Sequence, residues 1–172
     1  HSCEFCAYRN VNWQDHGMDF EEPEKRVPEK TGLPKEIAMR LPKEMYEAGI
    51  PSIELTGGGE PMVYPYIKEL LEELGKYRIE LAIVTNGSSL NEQIQSRLKN
   101  LKWIRFSMDA ITPETHSKVH RVPTSVFDVS LKHLKEIIAR GFEDCKVGVS
   151  FVTTKQNFHE IEEAAHFYKN LG

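Results

Sequence analysis

The chain has 172 residues, 40% hydrophobic and 28% charged, with a formal net charge of −4. That length builds one domain with a genuine core, and the mild acidity excludes the global basic character of nucleic-acid binders. No apolar run approaches the roughly 20 residues of a membrane-spanning helix, so neither a membrane nor a nucleic acid is expected as a partner.

The chain begins His1-Ser2-Cys3-Glu4-Phe5-Cys6. Two cysteines at this spacing can clamp a metal ion or a cluster edge from one tight loop. Alone, the pair is ambiguous among a redox dithiol, half a zinc site and part of an iron–sulfur site. A third cysteine, Cys145, makes the count odd, which argues for a reduced, cytoplasmic setting and against a disulfide framework. Residues 1–33 are polar and acidic, unlike a signal peptide. Residues 10–33 lack a sustained period, and a loop of that length is either a surface excursion or a lid over a site. Trp13, His16, Met18 and Phe20 give it adhesive side chains.

Residues 34–48 read as a helix, with Pro34 in the first turn, Gly49 as the stop, and an interior Pro42 that should kink it. An alternation then begins. Ser52–Leu55 is a short strand, and Tyr64–Leu74 is a helix with Ile67, Leu70, Leu71 and Leu74 on one face. Ile79–Val84 is a strand ending in Thr85-Asn86-Gly87, followed by a helix over about 90–99. Trp103–Met108 is a strand, and Thr112-Pro113-Glu114 opens a short helix. A longer helix covers about 126–140 and stops at Gly141. Lys146–Val152 is a fourth strand, and Asn157 with Glu160 forms a capping pattern for a last helix ending near Leu171.

Strands alternating with helices imply a parallel sheet with right-handed crossovers, either doubly wound or part of an α/β barrel. The strand faces favour the barrel. Ile104, Phe106 and Met108 alternate with Arg105, Ser107 and Asp109, and Val147, Val149 and Phe151 alternate with Lys146, Gly148 and Ser150. A sheet covered by helices on both sides is apolar on both faces, whereas one polar face suits an open barrel around a ligand.

Working residues in such folds sit at the carboxyl ends of the strands. Those ends read Thr56-Gly57-Gly58-Gly59-Glu60-Pro61, Thr85-Asn86-Gly87, Ser107-Met108-Asp109-Ala110 and Ser150 to Asn157. Consecutive glycines let backbone groups approach a ligand closely, and this run lacks the spacing of a dinucleotide fingerprint or a P-loop.

A Cys-x-aromatic-Cys pair, a strand ending in Thr-Gly-Gly-Gly-Glu-Pro, and strand ends Thr-Asn-Gly and Ser-x-Asp together resemble the radical S-adenosylmethionine (radical SAM) enzyme superfamily, over almost the whole chain. The resemblance implies strands 2–5 of an open (β/α)6 TIM-like barrel, forming a single core domain over 1–172. Residues 1–33 would be the cluster and polar loops, and 34–172 the α/β repeats. The family motif, Cys-x3-Cys-x2-Cys, holds a [4Fe–4S] cluster. Cys3 and Cys6 match its second and third members, and the first is expected two residues before His1. Cys145, at the opposite end of the barrel, is expected to be structural.

By the same resemblance, Phe5 matches the aromatic beside the adenine of S-adenosylmethionine. Gly57, Gly58, Gly59 and Glu60 match the stretch that binds its methionine amino group, chiefly through backbone atoms. Ser107 and Asp109 match polar groups near the ribose or methionine end, and Ser150 the next strand's contact. Asn86, with Thr85, could face cofactor or substrate. The implied activity is reductive cleavage to a 5′-deoxyadenosyl radical that takes hydrogen from a peptide, nucleoside or small metabolite. A low-potential flavodoxin or ferredoxin would supply the electron. The competing reading is a non-catalytic iron–sulfur or zinc module for electron transfer; a barrel isomerase or hydrolase finds no paired carboxylates or nucleophile–base spacing. His116 and His120, four apart, could share a metal, but such a pair usually marks a solvated helix face, and Arg121 is at least as readily a surface residue. Strands missing on either side would leave raw sheet edges and a poorly stable isolated piece.

Overall fold

The computed structural model describes Cys3, Phe5, Cys6 and residues 33–172. The loop residues Trp13, His16, Met18 and Phe20 lie outside the described residues. Four strands, β1 (Ser52–Leu55), β2 (Glu80–Thr85), β3 (Leu101–Ser107) and β4 (Lys146–Ser150), form one sheet in the order β1-β2-β3-β4. Every neighbouring pair is parallel. Consecutive right-handed crossovers that never reverse direction put all the connecting helices on one side. That is the arc of a barrel, since a doubly wound sheet reverses its strand order.

The helices are α1 (Lys35–Glu47), α2 (Ile67–Leu74), α3 (Glu92–Gln95), α4 (Pro113–His120), α5 (Ser125–Arg140) and α6 (Ile161–Lys169), with 3₁₀ turns at Pro61–Val63 and Phe158–Glu160. Pro34 takes the N-cap position of α1, and the helix continues through Pro42, which is buried. The expected helix over 90–99 shrinks to one turn, α3, opened by Asn91, whose side chain accepts from the Ile94 N–H. α4 starts as its sequence predicts: Thr112 accepts from the Thr115 N–H, with Pro113 in the first turn. α5 ends on Gly141 at φ 58°, a left-handed cap that glycine adopts without strain.

The register aligns Leu55, Ile83, Ile104 and Val147 in one row across the sheet. Ile83, Ile104, Phe106 and Met108 are buried together with Leu71, Leu134 and Ile137 from the helices and Leu90 from the loop after β2. Each such side chain contributes roughly 1.5–3 kcal/mol through its transfer from water. On the other face, the row from Val84 through Arg105 to Gly148 and the pair Ser107–Ser150 run along the concave side. Arg105 is exposed there, with its guanidinium carbon 5.6 Å from the Trp103 ring centroid. β2 is buried on both faces at Leu81, Ala82 and Ile83, so its sequence shows no alternation. Among the described residues, no helix is long and apolar enough to cross a membrane.

The last helix departs from the sequence reading. Asn157 makes no side-chain cap, and Glu160 does not reach back to it. Both side chains bridge to β3 and its exit loop. Glu160 Oε2 accepts from the Ile111 N–H at 2.8 Å, and Oε1 accepts from the Thr115 hydroxyl at 2.5 Å. Asn157 is fully buried, and its Nδ2 donates to the carbonyls of Asp109 (2.8 Å) and Val152 (2.9 Å).

Candidate cofactor site at the carboxyl ends of the strands

The loop leaving β1 is exposed along Thr56–Gly59. Gly57 has φ +143°, a conformation open to glycine alone, and a Cβ there or at Gly59 would meet nothing within 4 Å. The backbone therefore borders open space. Glu60, which follows, turns its side chain inward. Its Oε1 accepts from the Met62 N–H (3.1 Å) and the Thr85 hydroxyl (2.6 Å), while Oε2 accepts from the Asn86 N–H (2.7 Å). Burial raises the Glu60 pKa, and hydrogen bonds from Thr85, Asn86 and Met62 oppose that rise.

The carboxylate thus pins the turn after β2. Thr85 is buried and its hydroxyl oxygen also accepts from the Gly87 N–H at 3.0 Å, so its hydroxyl is engaged within the protein. Asn86 Oδ1 accepts from the Ser88 N–H and hydroxyl at 2.9 and 2.6 Å. The buried His133 of α5 has Nδ1 2.6 Å from the Gly87 carbonyl, which makes Nδ1 the protonated nitrogen. Ser107 and Ser150 are register partners at the ends of β3 and β4, with hydroxyls 3.5 Å apart.

The third group joins the cysteine turn to the end of β3. Cys6 donates its N–H to the Cys3 carbonyl at 3.2 Å, closing the turn, and both thiols are free and half-buried. Cys3 Sγ lies 3.3 Å from His120 Nδ1, and the Phe5 ring meets His120 edge-on at 6.2 Å. His120 Nε2 lies 3.0 Å from Asp109 Oδ2. Asp109 Oδ1 accepts from the Val152 N–H at 2.6 Å, and Asp109 itself has φ +54°.

These contacts correct the reading of α4. His116 and His120 are buried, at 0% and 1% exposure, and their rings stack at 4.3 Å with 13° between planes. They are no solvated helix face. Burial works against a charged His120, but Asp109 and Cys3 outweigh it and raise its pKa to about 9. Burial and the charge on His120 lower His116 to about 3. Arg121 is exposed. Cys145 packs against the core ahead of β4, and burial pushes its thiol up, in keeping with a structural cysteine.

Sequence reasoning named Cys3, Cys6, Phe5, Gly57, Gly58, Gly59, Glu60, Asn86, Ser107, Asp109 and Ser150, set His120 aside as part of a solvated helix face, and did not single out His133. One signal for His120 was available. Val119 is the only aliphatic residue of α4, so its face, which includes Thr115, His116 and His120, must turn inward.

Residues 1–168 match the sequence profile of the Radical SAM superfamily. The chain belongs to that superfamily. Its members use a [4Fe–4S] cluster and S-adenosylmethionine. Among curated relatives, the S-adenosylmethionine-dependent nucleotide dehydratase of Flammeovirga pacifica is 27% identical over 160 residues, 92% of this chain and 51% of its own length. The tungsten-containing aldehyde ferredoxin oxidoreductase cofactor-modifying protein of Pyrococcus furiosus is 27% identical over 99% of this chain and 45% of its own. The chain therefore spans about half the length of these relatives. Streptococcus suis SuiB, solved also bound to S-adenosylmethionine, superposes on 81% of the chain and 32% of SuiB, with TM-scores of 0.66 and 0.65 and 22% identity. That likeness is one of fold.

Proposed function

We propose that this radical SAM domain is the core of an enzyme that binds a [4Fe–4S] cluster through Cys3 and Cys6 and S-adenosylmethionine through the loops at the carboxyl ends of β1–β4. The observation that carries the reading is the contact of Cys3 with the Asp109–His120 pair, at the same carboxyl end of the sheet as the open glycine loop. Two half-buried thiols in one hydrogen-bonded turn suit a cluster edge. Among the described residues no three His, Cys, Asp or Glu side chains gather into a metal site, so the pair is a partial ligand set. The remaining thiolate is the one expected two residues before His1.

When bound, the cluster and S-adenosylmethionine supply a low-potential electron and a 5′-deoxyadenosyl radical that takes hydrogen from the substrate. This chain's residues hold and shield. Gly57, Gly58 and Gly59 offer backbone groups to the methionine amino group, and the Glu60 carboxylate keeps that loop in place against Asn86. Phe5 supplies a flat apolar surface for the adenine. Ser107, Asp109 and Ser150 mark the polar strand ends toward the ribose and methionine, with Asp109 acting through His120. The exposed Arg105 over Trp103 puts a cation on the concave face, where substrate would enter. A flavodoxin- or ferredoxin-type donor provides the electron. Fold and cofactor are shared across this superfamily while the chemistry differs, as the dehydratase and cofactor-modifying relatives illustrate.

The test is anaerobic reconstitution of the full-length protein with iron and sulfide, followed by dithionite and S-adenosylmethionine. Release of 5′-deoxyadenosine, lost in Cys3→Ala and Cys6→Ala, is the expected result. A full cluster complement that yields no 5′-deoxyadenosine would instead favour an electron-transfer module.

A further inference from the structure

His120 stands between two acceptors. Nε2 faces the Asp109 carboxylate at 3.0 Å, and Nδ1 faces Cys3 Sγ at 3.3 Å. A carboxylate only accepts, and a cysteine bound to iron is a thiolate that likewise only accepts. With the cluster in place, the 3.3 Å contact of Nδ1 with Sγ is a hydrogen bond only with Nδ1 as the donor, while Nε2 stays turned to Asp109.

The ring is packed on two sides. His116 stacks on one side at 4.3 Å, and Phe5 meets it edge-on at 6.2 Å. Asp109 is held in turn by the Val152 N–H on Oδ1 and by Asn157 Nδ2 on its carbonyl. A chain of contacts thus runs from the ends of β3 and β4 through Asp109 and His120 to one sulfur.

We propose that His120 is a positioning residue for the cluster, donating its Nδ1–H to Cys3 Sγ and thereby fixing that ligand and raising the cluster's reduction potential. The inference rests on the cluster-binding reading above. Hydrogen bonds to cluster sulfurs are one of the protein's levers on potential, because a donor stabilises the extra negative charge of the reduced state. Replacing a group that orients a metal ligand typically costs about 10–100-fold in metal affinity or activity. The consequence is a cluster that accepts an electron more readily from its donor.

The experiment compares wild type, His120→Phe and His120→Asn in the full-length reconstituted protein. Phe keeps a ring to stack on His116 but has no donor, and Asn places an amide N–H near the position of Nδ1. In His120→Phe the reduced-to-oxidised ratio at a fixed poise should fall about tenfold, equivalent to ~59 mV for a one-electron couple. The Fe–S(Cys) stretch in resonance Raman spectra should rise as the sulfur loses its donor, and His120→Asn should restore most of both. An intact cluster in His120→Phe with wild-type potential and stretch overturns the proposal. Should that variant fail to assemble a cluster, pulsed EPR of the reduced, ¹⁵N-histidine-labelled wild type decides: a histidine ¹⁵N coupling absent from labelled His120→Asn supports the hydrogen bond, and no such coupling in wild type overturns it. Failure of wild type to take up any cluster is a separate result, which removes the cluster reading itself.

Discussion

Glu60 is the most exacting test of how the strand-end loops are held. Its carboxylate takes three donors, of which the Thr85 hydroxyl at 2.6 Å and the Asn86 N–H at 2.7 Å are short, charge-assisted bonds. Thr85 is 2% exposed, so water reaches its hydroxyl poorly once the carboxylate is gone. Hydrogen bonds to charged groups contribute about 1.5–3 kcal/mol each in a buried setting, and Glu60 is only half-buried. Glu60→Ala should therefore weaken local closure of the Thr85–Gly87 turn by about 1.4–2.8 kcal/mol, a ten- to hundredfold loss of amide protection. Glu60→Gln keeps one acceptor oxygen but presents an N–H₂ group to either Thr85 or Asn86. The Thr85 oxygen can accept from that group, but the Asn86 and Met62 N–H groups cannot, so either orientation forfeits one backbone donor and Gln should fall between wild type and Ala.

Amide hydrogen exchange read at Met62, Asn86 and Gly87 measures this directly, since the first two donate to Glu60 and the third to Thr85 Oγ1. The expected order of protection is wild type, then Gln, then Ala, with little change at Ile104 in the centre of β3. Unchanged protection of Asn86 in Glu60→Ala would refute the clamp. So would equal losses at Asn86 and Ile104, because these would indicate global destabilisation.

His116 sets an acid limb: with a folded pKa of about 3 against an ordinary 6.5, the unfolded chain binds more protons between these values. Its contribution is present in full above pH 6.5 and falls as pH drops toward 3, by about 2 kcal/mol at pH 5; urea titrations of His116→Phe should show a shallower acid limb than wild type. Gly87→Ala should cost at least ~2 kcal/mol in urea titration, since φ is +76° and the new Cβ would lie 2.8 Å from the Phe106 ring. Asn157→Ala removes two donors and an acceptor that takes the Thr154 N–H at 2.6 Å, and should lower stability by about 2–4 kcal/mol while leaving the denaturant slope unchanged.

How much of this was legible in the sequence follows from which interactions are local. The strands and the barrel arc were readable because burial against one helical layer imprints a period of two, as at Ile104, Phe106 and Met108. The glycine run and the cysteine spacing were readable because they are contiguous. The partners of polar side chains were not. Glu60 finds Thr85 and Asn86 across 25 and 26 positions, Asp109 finds Val152 across 43, and Cys3 finds His120 across 117. Asn157 and Glu160 show the cost of assuming local partners: a sound capping pattern was overruled because buried carbonyls and N–H groups at the end of β3 needed those side chains more.

The same non-local contacts divide the labour at the strand ends. A residue type that suits a ligand also suits a buried clamp, because both tasks call for a short polar group at a place where backbone hydrogen bonding stops. The loop after β1 separates the two roles by exposure: Gly57, Gly58 and Gly59 are exposed, while the adjoining Glu60 spends its carboxylate on the protein. Asp109, fully buried and committed to Val152 and His120, belongs with Glu60. Ser107 and Ser150 are held only loosely by the protein: their hydroxyls lie 3.5 Å apart, and that of Ser150 is also 3.5 Å from the Phe106 carbonyl. The exposed glycine backbone and the two serines are thus the strand-end groups least committed to the protein, while both acidic residues spend their carboxylates on neighbouring residues.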